Sequence, residues 1–139
     1  MGHIITTIEL VNAADLTASE SGYIDESDVR RYSMEALVDT GSVMLALPQD
    51  VVEHLGLKER RKVAVTYADN RKEQRSIAGP LLVKVTGREM FTECVVVPPT
   101  SEALIGQIIL EELDLIADCQ KQALYPRPES PIYPLLNLK

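Results

Sequence analysis

Asp39-Thr40-Gly41-Ser42 is the stretch of this chain with the clearest capacity for chemistry. Small and apolar residues lead into it (Met34, Ala36, Leu37, Val38), and a second apolar run follows from Val43 to Leu47. A carboxylate in a glycine-bearing turn between two apolar segments is costly to desolvate unless it has partners. A plain β-turn built on Asp and Gly accounts for the tripeptide taken alone. Its context, strand before and strand plus helix after, points to a chemical role. The motif occurs once in 139 residues.

The elements that must position Asp39 are legible from periodicity. Ile4 to Val11 is β-branched and partly alternating, Tyr32 to Val38 runs into the Asp39 turn, and Val43 to Leu47 is short and apolar. These three read as strands. Asn12 to Asp28 is polar and acidic and reads as a loop or a wide hairpin connection. Pro48 opens a helix with Val51, Val52 and Leu55 on its apolar face, and Gly56 stops it. His54 on that helix reads as a surface histidine. Val63 to Ala68 and Ser76 to Val85 bracket the polar turn Asp69-Asn70-Arg71-Lys72 as a long hairpin with a charged tip. Phe91 to Val97 is a further strand, ended by Pro98-Pro99. Ala103 to Ile105 is a short strand ending at Gly106, and Gln107 to Leu113 a two-turn helix. Leu115 to Ala117 and Ala123 to Tyr125 form a last hairpin. Beyond it, Pro126, Pro128, Pro131 and Pro134 predict an extended tail.

Many short strands with regular turns, and no alternation of β and α units, predict an all-β, closed, antiparallel, barrel-like domain with one or two short helices. The expected division is a domain over residues 1–125 and a proline-rich tail over 126–139.

Composition narrows the function classes. The chain is 45% hydrophobic and 25% charged, as a soluble globular domain should be. Aromatics are 4% with no Trp, so the core must be aliphatic. A net charge of -7 argues against a nucleic-acid partner and against an anionic membrane surface. The basic clusters Lys58 to Lys62 and Arg71 to Arg75 are interspersed with acids and read as solvated edges. No apolar run reaches the roughly 20 residues of a membrane span. Cys94 and Cys119, without a secretory leader, read as free thiols in a reducing, cytoplasmic setting. Met1-Gly2 with Thr6 fits an N-myristoylation pattern only loosely. No residue grouping calls for a metal or cofactor.

Two motifs together resemble the retroviral-like, single-domain (retropepsin-type) aspartic proteases. The first is Ala36-Leu37-Val38-Asp39-Thr40-Gly41-Ser42. The second is Ala103-Leu104-Ile105-Gly106 running into the helix from Gln107. In that family the second-motif glycine and its helix pack beneath the Asp-Thr-Gly turn. The resemblance spans about Ile4 to Tyr125 and implies an acid-protease fold with one lobe per chain.

Peptide hydrolysis by this route uses two carboxylates sharing one proton, one as base toward a water and one as acid toward the carbonyl and leaving amine. Like charges a few ångströms apart cannot both ionise readily, so the pair titrates as a unit. Asp114 and Asp118 do not precede Thr-Gly, and the chain shows no internal duplication. The second carboxylate is therefore expected from a second copy, with Asp39 of each chain on a two-fold axis.

By resemblance, Thr40 would hydrogen-bond across that axis, Gly41 would leave room for the substrate backbone, and Ser42 would donate to the outer oxygen of Asp39, an ordinary turn hydroxyl being the equal alternative for Ser42. The hairpin Val63 to Val85 would be a flap over an extended peptide. Val43, Leu45, Leu104 and Ile105 would be apolar pocket candidates and Tyr67 a flap contact, although core packing and cross-strand packing account for the same residues. The chain departs from the family at the flap tip, which lacks glycine. It departs again at Gln107 and Val43, where the family pairs an Arg with an Asp. The expected dimer strands are Ile4 to Val11 and Leu115 to Tyr125. The expected activity is that of a homodimeric aspartic endopeptidase. The alternatives are a non-catalytic dimeric peptide-binding module on the same fold, or a β-rich structural domain in which the Asp39 turn is only a turn.

Overall fold

The computed structural model describes residues 3–138. Met1 and Gly2 of the acylation pattern, and Lys139 at the end of the tail, lie outside them. The chain is mostly β (47% strand, 18% helix), so the all-β expectation holds. Its strands are β1 (Ile5–Asn12), β2 (Arg31–Val38), β3 (Leu45–Pro48), β4 (Lys58–Thr66), β5 (Lys72–Val85), β6 (Arg88–Val97), β7 (Ala103–Ile105), β8 (Leu115–Asp118) and β9 (Ala123–Pro126). Three α-helices intervene, α1 (Ala13–Glu20), α2 (Gln49–Leu55) and α3 (Gln107–Glu112), with a 3-10 turn at Glu26–Asp28.

The main sheet runs β1-β2-β7-β3-β6-β5-β4, and β1 also pairs with β5. That extra pairing closes six strands into a barrel and leaves β4 outside it, on β5 alone. Closure removes the exposed edges of those six strands, and β4 keeps one. The barrel is not wholly antiparallel as expected: β2 pairs β7 and β3 pairs β6 in parallel. β2 and β3 are consecutive in sequence but do not pair, because β7 inserts between them. Local patterning carries no signal of such a long-range insertion.

The core is aliphatic. Ile8, Leu10, Leu45, Leu47, Leu55, Leu81, Ile105, Ile109 and Leu113 are fully enclosed in one cluster. Each such side chain contributes roughly 1.5–3 kcal/mol on removal from water. The single Phe, Phe91, is exposed on β6.

The segment Asn12 to Asp28 connects the antiparallel pair β1 and β2 as a wide hairpin connection, and it contains α1, which was not expected. The Asn12 side chain accepts from the Asp15 N–H (2.9 Å) as its N-cap and donates through Nδ2 to the Leu55 carbonyl at the end of α2 (2.8 Å). One buried amide thus ties two helix ends together, with its polar atoms satisfied. The cap was the visible signal; the helix body is short and only weakly amphipathic. Asp15 in turn receives Nε and Nη2 of Arg30 at 2.8 and 3.0 Å.

β1 lies inside the barrel rather than at a free edge. Over Ile8–Val11 it is paired with both β2 and β5, so that stretch cannot add a strand from a second chain. The other expected dimer segment forms the separate β8-β9 hairpin. The tail is anchored: Asp114 accepts from Arg127 Nε (2.8 Å) and Nη2 (3.2 Å), from the Ser130 hydroxyl, and from the Leu135 N–H (3.0 Å). The buried Arg88 donates to the Leu113 carbonyl (2.8 Å) and to the Ser130 carbonyl, closing the same junction. Among the described residues, no helix is long and apolar enough to cross a membrane.

Candidate active site

Asp39 follows the last residue of β2 and opens a tight loop. Its own N–H donates to the Ile105 carbonyl at the end of β7 (2.9 Å), and its carbonyl accepts from the Ser42 N–H (3.1 Å). Its carboxylate Oδ1 accepts from the Gly41 N–H at 3.0 Å. A Cβ at Gly41 would stand 3.3 Å from that oxygen. The carboxylate is half-buried, whereas Thr40 and Gly41 are exposed. Asp39 is thus held by main-chain groups while its outer side stays open to solvent.

The loop is clamped from beneath. The first two N–H groups of α3 have no partner inside the helix, and the loop supplies both: Gln107 N donates to the Ser42 carbonyl (2.8 Å) and Ile108 N to the Val43 carbonyl (3.0 Å). The Gln107 side chain adds a third bond, Nε2 to the Thr40 carbonyl at 2.9 Å. Gly106 makes this approach possible. A Cβ there would lie 2.5 Å from the Ser42 carbonyl oxygen, 2.8 Å from the Val43 carbonyl carbon and 2.9 Å from the Met44 oxygen, all main-chain atoms that cannot swing aside. The two sequence motifs therefore meet in space.

Gln107 and Val43 stood out in the sequence only as lost halves of an ion pair. In the structure Gln107 reaches the loop through its amide, and Val43 serves α3 through its main chain. No buried charge is needed. Gln107 is the site residue that sequence reasoning underrated; its place directly after Gly106 was the available signal.

The other expected site residues divide. Ser42 Oγ donates to the Met44 carbonyl at 3.1 Å, so its one proton is engaged there and not on Asp39. Leu45 and Ile105 are 1% and 0% exposed, and the barrel core leaves neither open to a peptide. Val43 is 64% exposed beside the loop, and Leu104 is half-buried.

The long hairpin forms as expected from β4 and β5, with Tyr67 to Arg71 as its tip. Asn70 adopts the left-handed conformation there (φ 66°) and supplies the turn that a glycine would otherwise make. Tyr67 N–H donates to the Arg71 carbonyl (2.8 Å), the Arg71 guanidinium stands 4.5 Å over the Tyr67 ring, and Arg75 Nε donates to the Tyr67 hydroxyl (3.1 Å). Tyr67 thus braces its own hairpin.

Among the described residues, no second carboxylate joins the loop. Asp114 is consumed by the tail, and Arg127 beside it, with Ser130 and the Leu135 N–H, holds its carboxyl well below the usual carboxylate range. Asp118 accepts from the N–H groups of Gln120 (3.0 Å) and Lys121 (3.1 Å) in the β8-β9 turn. Cys94 is buried, and burial pushes its thiol up to about 12, which makes it a poor nucleophile. Among the described residues, no group of three or more His, Cys, Asp or Glu side chains is arranged to hold a metal ion.

A family model described as "Aspartyl protease" matches residues 21–109, from before β2 to within α3. It takes in both the Asp39 loop and the Gly106 motif. The chain matches no curated protein.

Proposed function

Because the chain belongs to the retropepsin-like aspartyl protease family, we propose that it is an aspartic endopeptidase whose dyad is formed by Asp39 of one protomer and Asp39 of the partner subunit. The observation that carries this reading is the Asp39 loop itself. One carboxylate is held by the Gly41 N–H, clamped from α3, open on its outer side, and, among the described residues, unaccompanied by a second acid from its own chain.

In the dimer, one Asp39 is ionised and takes a proton from a water as that water attacks the peptide carbonyl. The other, protonated, donates to the carbonyl oxygen as the tetrahedral diol forms. Collapse then passes a proton to the leaving nitrogen, and the dyad returns to its shared-proton state. A clamped loop suits this chemistry, because donors and acids that need no reorganisation stabilise developing charge best. Thr40 is exposed, and in the proposed dimer it meets its counterpart across the axis. Val43 and Leu104 are the remaining pocket candidates, and the β4-β5 hairpin serves as the flap over an extended peptide. Replacing Asp39 by Asn should abolish cleavage and leave the dimer intact; a fully active variant would contradict the assignment.

One observation favours the second reading, a non-catalytic dimeric peptide-binding module. The hairpin tip is cross-braced by Arg71 and Arg75 on Tyr67, which opposes the mobility that a closing flap needs. A dimer that binds extended peptides tightly but cleaves none from acid to neutral pH would select that reading.

A further inference from the structure

α3 is fixed at both ends. Its first two N–H groups donate to the Ser42 and Val43 carbonyls and so hold the Asp39 loop. Its other end meets a second set of partners. The buried Arg88 of β6 donates through Nη1 to the Leu113 carbonyl (2.8 Å) and the Asp114 carbonyl (3.2 Å), and through Nη2 to the Ser130 carbonyl. Carbonyls at a helix C-terminus have no partner inside the helix, so these bonds set where α3 ends. The helix has six residues, about 9 Å of rise. A body that short moves as one piece, and a shift at Leu113 reaches Gln107.

Asp114, directly after the Leu113 cap, stands in the left-handed conformation (φ 56°). Glycine is the usual occupant of that position, because other side chains are strained there. Asp114 commits both its side chain and its main chain to the tail. Its carboxylate receives Arg127 Nε (2.8 Å) and Nη2 (3.2 Å), the Ser130 hydroxyl and the Leu135 N–H (3.0 Å). Its carbonyl accepts from the Arg127 N–H (3.1 Å). Beyond this knot, Leu135, Leu136 and Leu138 of the tail and Ile108 of α3 line one open cleft of about 630 Å³. The tail thus lies along α3, from the junction at Asp114 back toward the residue whose N–H holds Val43.

We propose that the segment from Arg127 to Leu138 is a strap: docked on Asp114, it fixes α3 and through α3 the Asp39 loop, which makes Asp114 and Arg127 positioning residues for the dyad. The Arg127 side chain bonds to Asp114 and Glu129 and not to the loop. A change there that alters turnover must therefore act through α3. A loop held without reorganisation stabilises developing charge best, so a loosened α3 lowers kcat and leaves peptide binding nearly intact. The effect on cleavage rests on the aspartic-protease reading; the hold of the strap on α3 does not.

The test uses the full chain with Arg127→Gln, Asp114→Asn, or both, and fluorescein-labelled casein as the protease probe. Each variant should release the tail, read as faster amide exchange over residues 127–138. Apparent kcat should fall by about three- to thirty-fold, with KM changed by less than about two-fold. Both substitutions open the same junction, so the double variant should be no slower than the slower single one. The Gln107 and Ile108 amides should lose protection from hydrogen exchange by about ten-fold or more, while the amides of β5 and β6 keep theirs. A tail that stays docked in both single variants, unchanged protection at Gln107 and Ile108 once the tail is released, or an equal loss across β5 and β6 would each overturn the proposal. So would full kcat with a released tail, or effects of the two substitutions that multiply. If the wild-type chain itself leaves casein and a mixed peptide library uncut, the aspartic-protease reading fails, and the exchange at Gln107 and Ile108 decides the strap alone.

Discussion

Gly106 lies against Ser42 so closely that a Cβ on the glycine would stand 2.5 Å from the serine carbonyl oxygen. This contact joins residues far apart in sequence and sets the depth at which α3 supports the Asp39 loop. Gly106→Ala must push main chain against main chain. It should destabilise the fold by about 1–3 kcal/mol, as overpacking does. It should cost more in kcat than in KM, because it displaces Asp39 rather than the peptide groove. Urea unfolding and peptide cleavage on the same preparation check both.

Gln107→Ala removes the bond from Nε2 to the Thr40 carbonyl and leaves the two main-chain bonds of α3 in place. Gln107 and Thr40 are both exposed, so water replaces the lost partner and the stability cost should be no more than about 0.5–1.5 kcal/mol. The loop should nevertheless loosen. The expected result is a measurable fall in kcat with the unfolding midpoint lowered by no more than a few degrees.

Asp114 should make the docking of the tail pH-dependent. The Arg127 guanidinium, then the Ser130 hydroxyl and the Leu135 N–H, hold its carboxyl well below the ordinary value of 3.8. A depressed carboxyl contributes its stabilisation in full above the ordinary value and loses it as pH falls through the folded-state value. The tail should therefore stay docked at neutral pH and release only in strong acid. Asp114→Asn should release it at neutral pH, read as faster proteolysis or hydrogen exchange over residues 127–138.

The two cysteines should differ in reactivity. Cys94 is 0% exposed and its thiol is raised to about 12, while Cys119 is exposed in the β8-β9 turn. At mildly alkaline pH a thiol reagent should modify Cys119 quickly in the folded protein and reach Cys94 only after denaturation. Rapid labelling of both in the native state would contradict the buried position of Cys94.

Much of the site was legible because its parts are local. An apolar strand ending in Asp39-Thr40-Gly41-Ser42, and Ile105-Gly106 opening a short helix, are signals a few residues long, and the hairpin announces itself by two runs around a polar tip. What was not legible depends on distant contacts. Nothing near Ser42 reveals that its hydroxyl turns to Met44 and not to Asp39. Leu45 and Ile105 could not be told from pocket residues until the barrel closed around them. α1 hid behind its polar composition, because its stability comes from the Asn12 cap and packing on the barrel and not from its own periodicity. The anchoring of the tail was not legible because Asp114 and Arg127 are a turn and a hairpin apart, and their pairing exists only once β8 and β9 form.

The shared dyad can be tested most directly by mixing. Wild-type chains and Asp39→Asn chains, each with its own affinity tag, are co-expressed in equal amounts so that dimers form at random, and cleavage is compared with the same total mass of wild type. If each active site takes one Asp39 from each chain, only dimers with two wild-type chains cleave, and activity should fall to about a quarter. Purified heterodimers should be inactive. An activity of about half, or active heterodimers, would show that a single chain carries a complete site and would contradict the account.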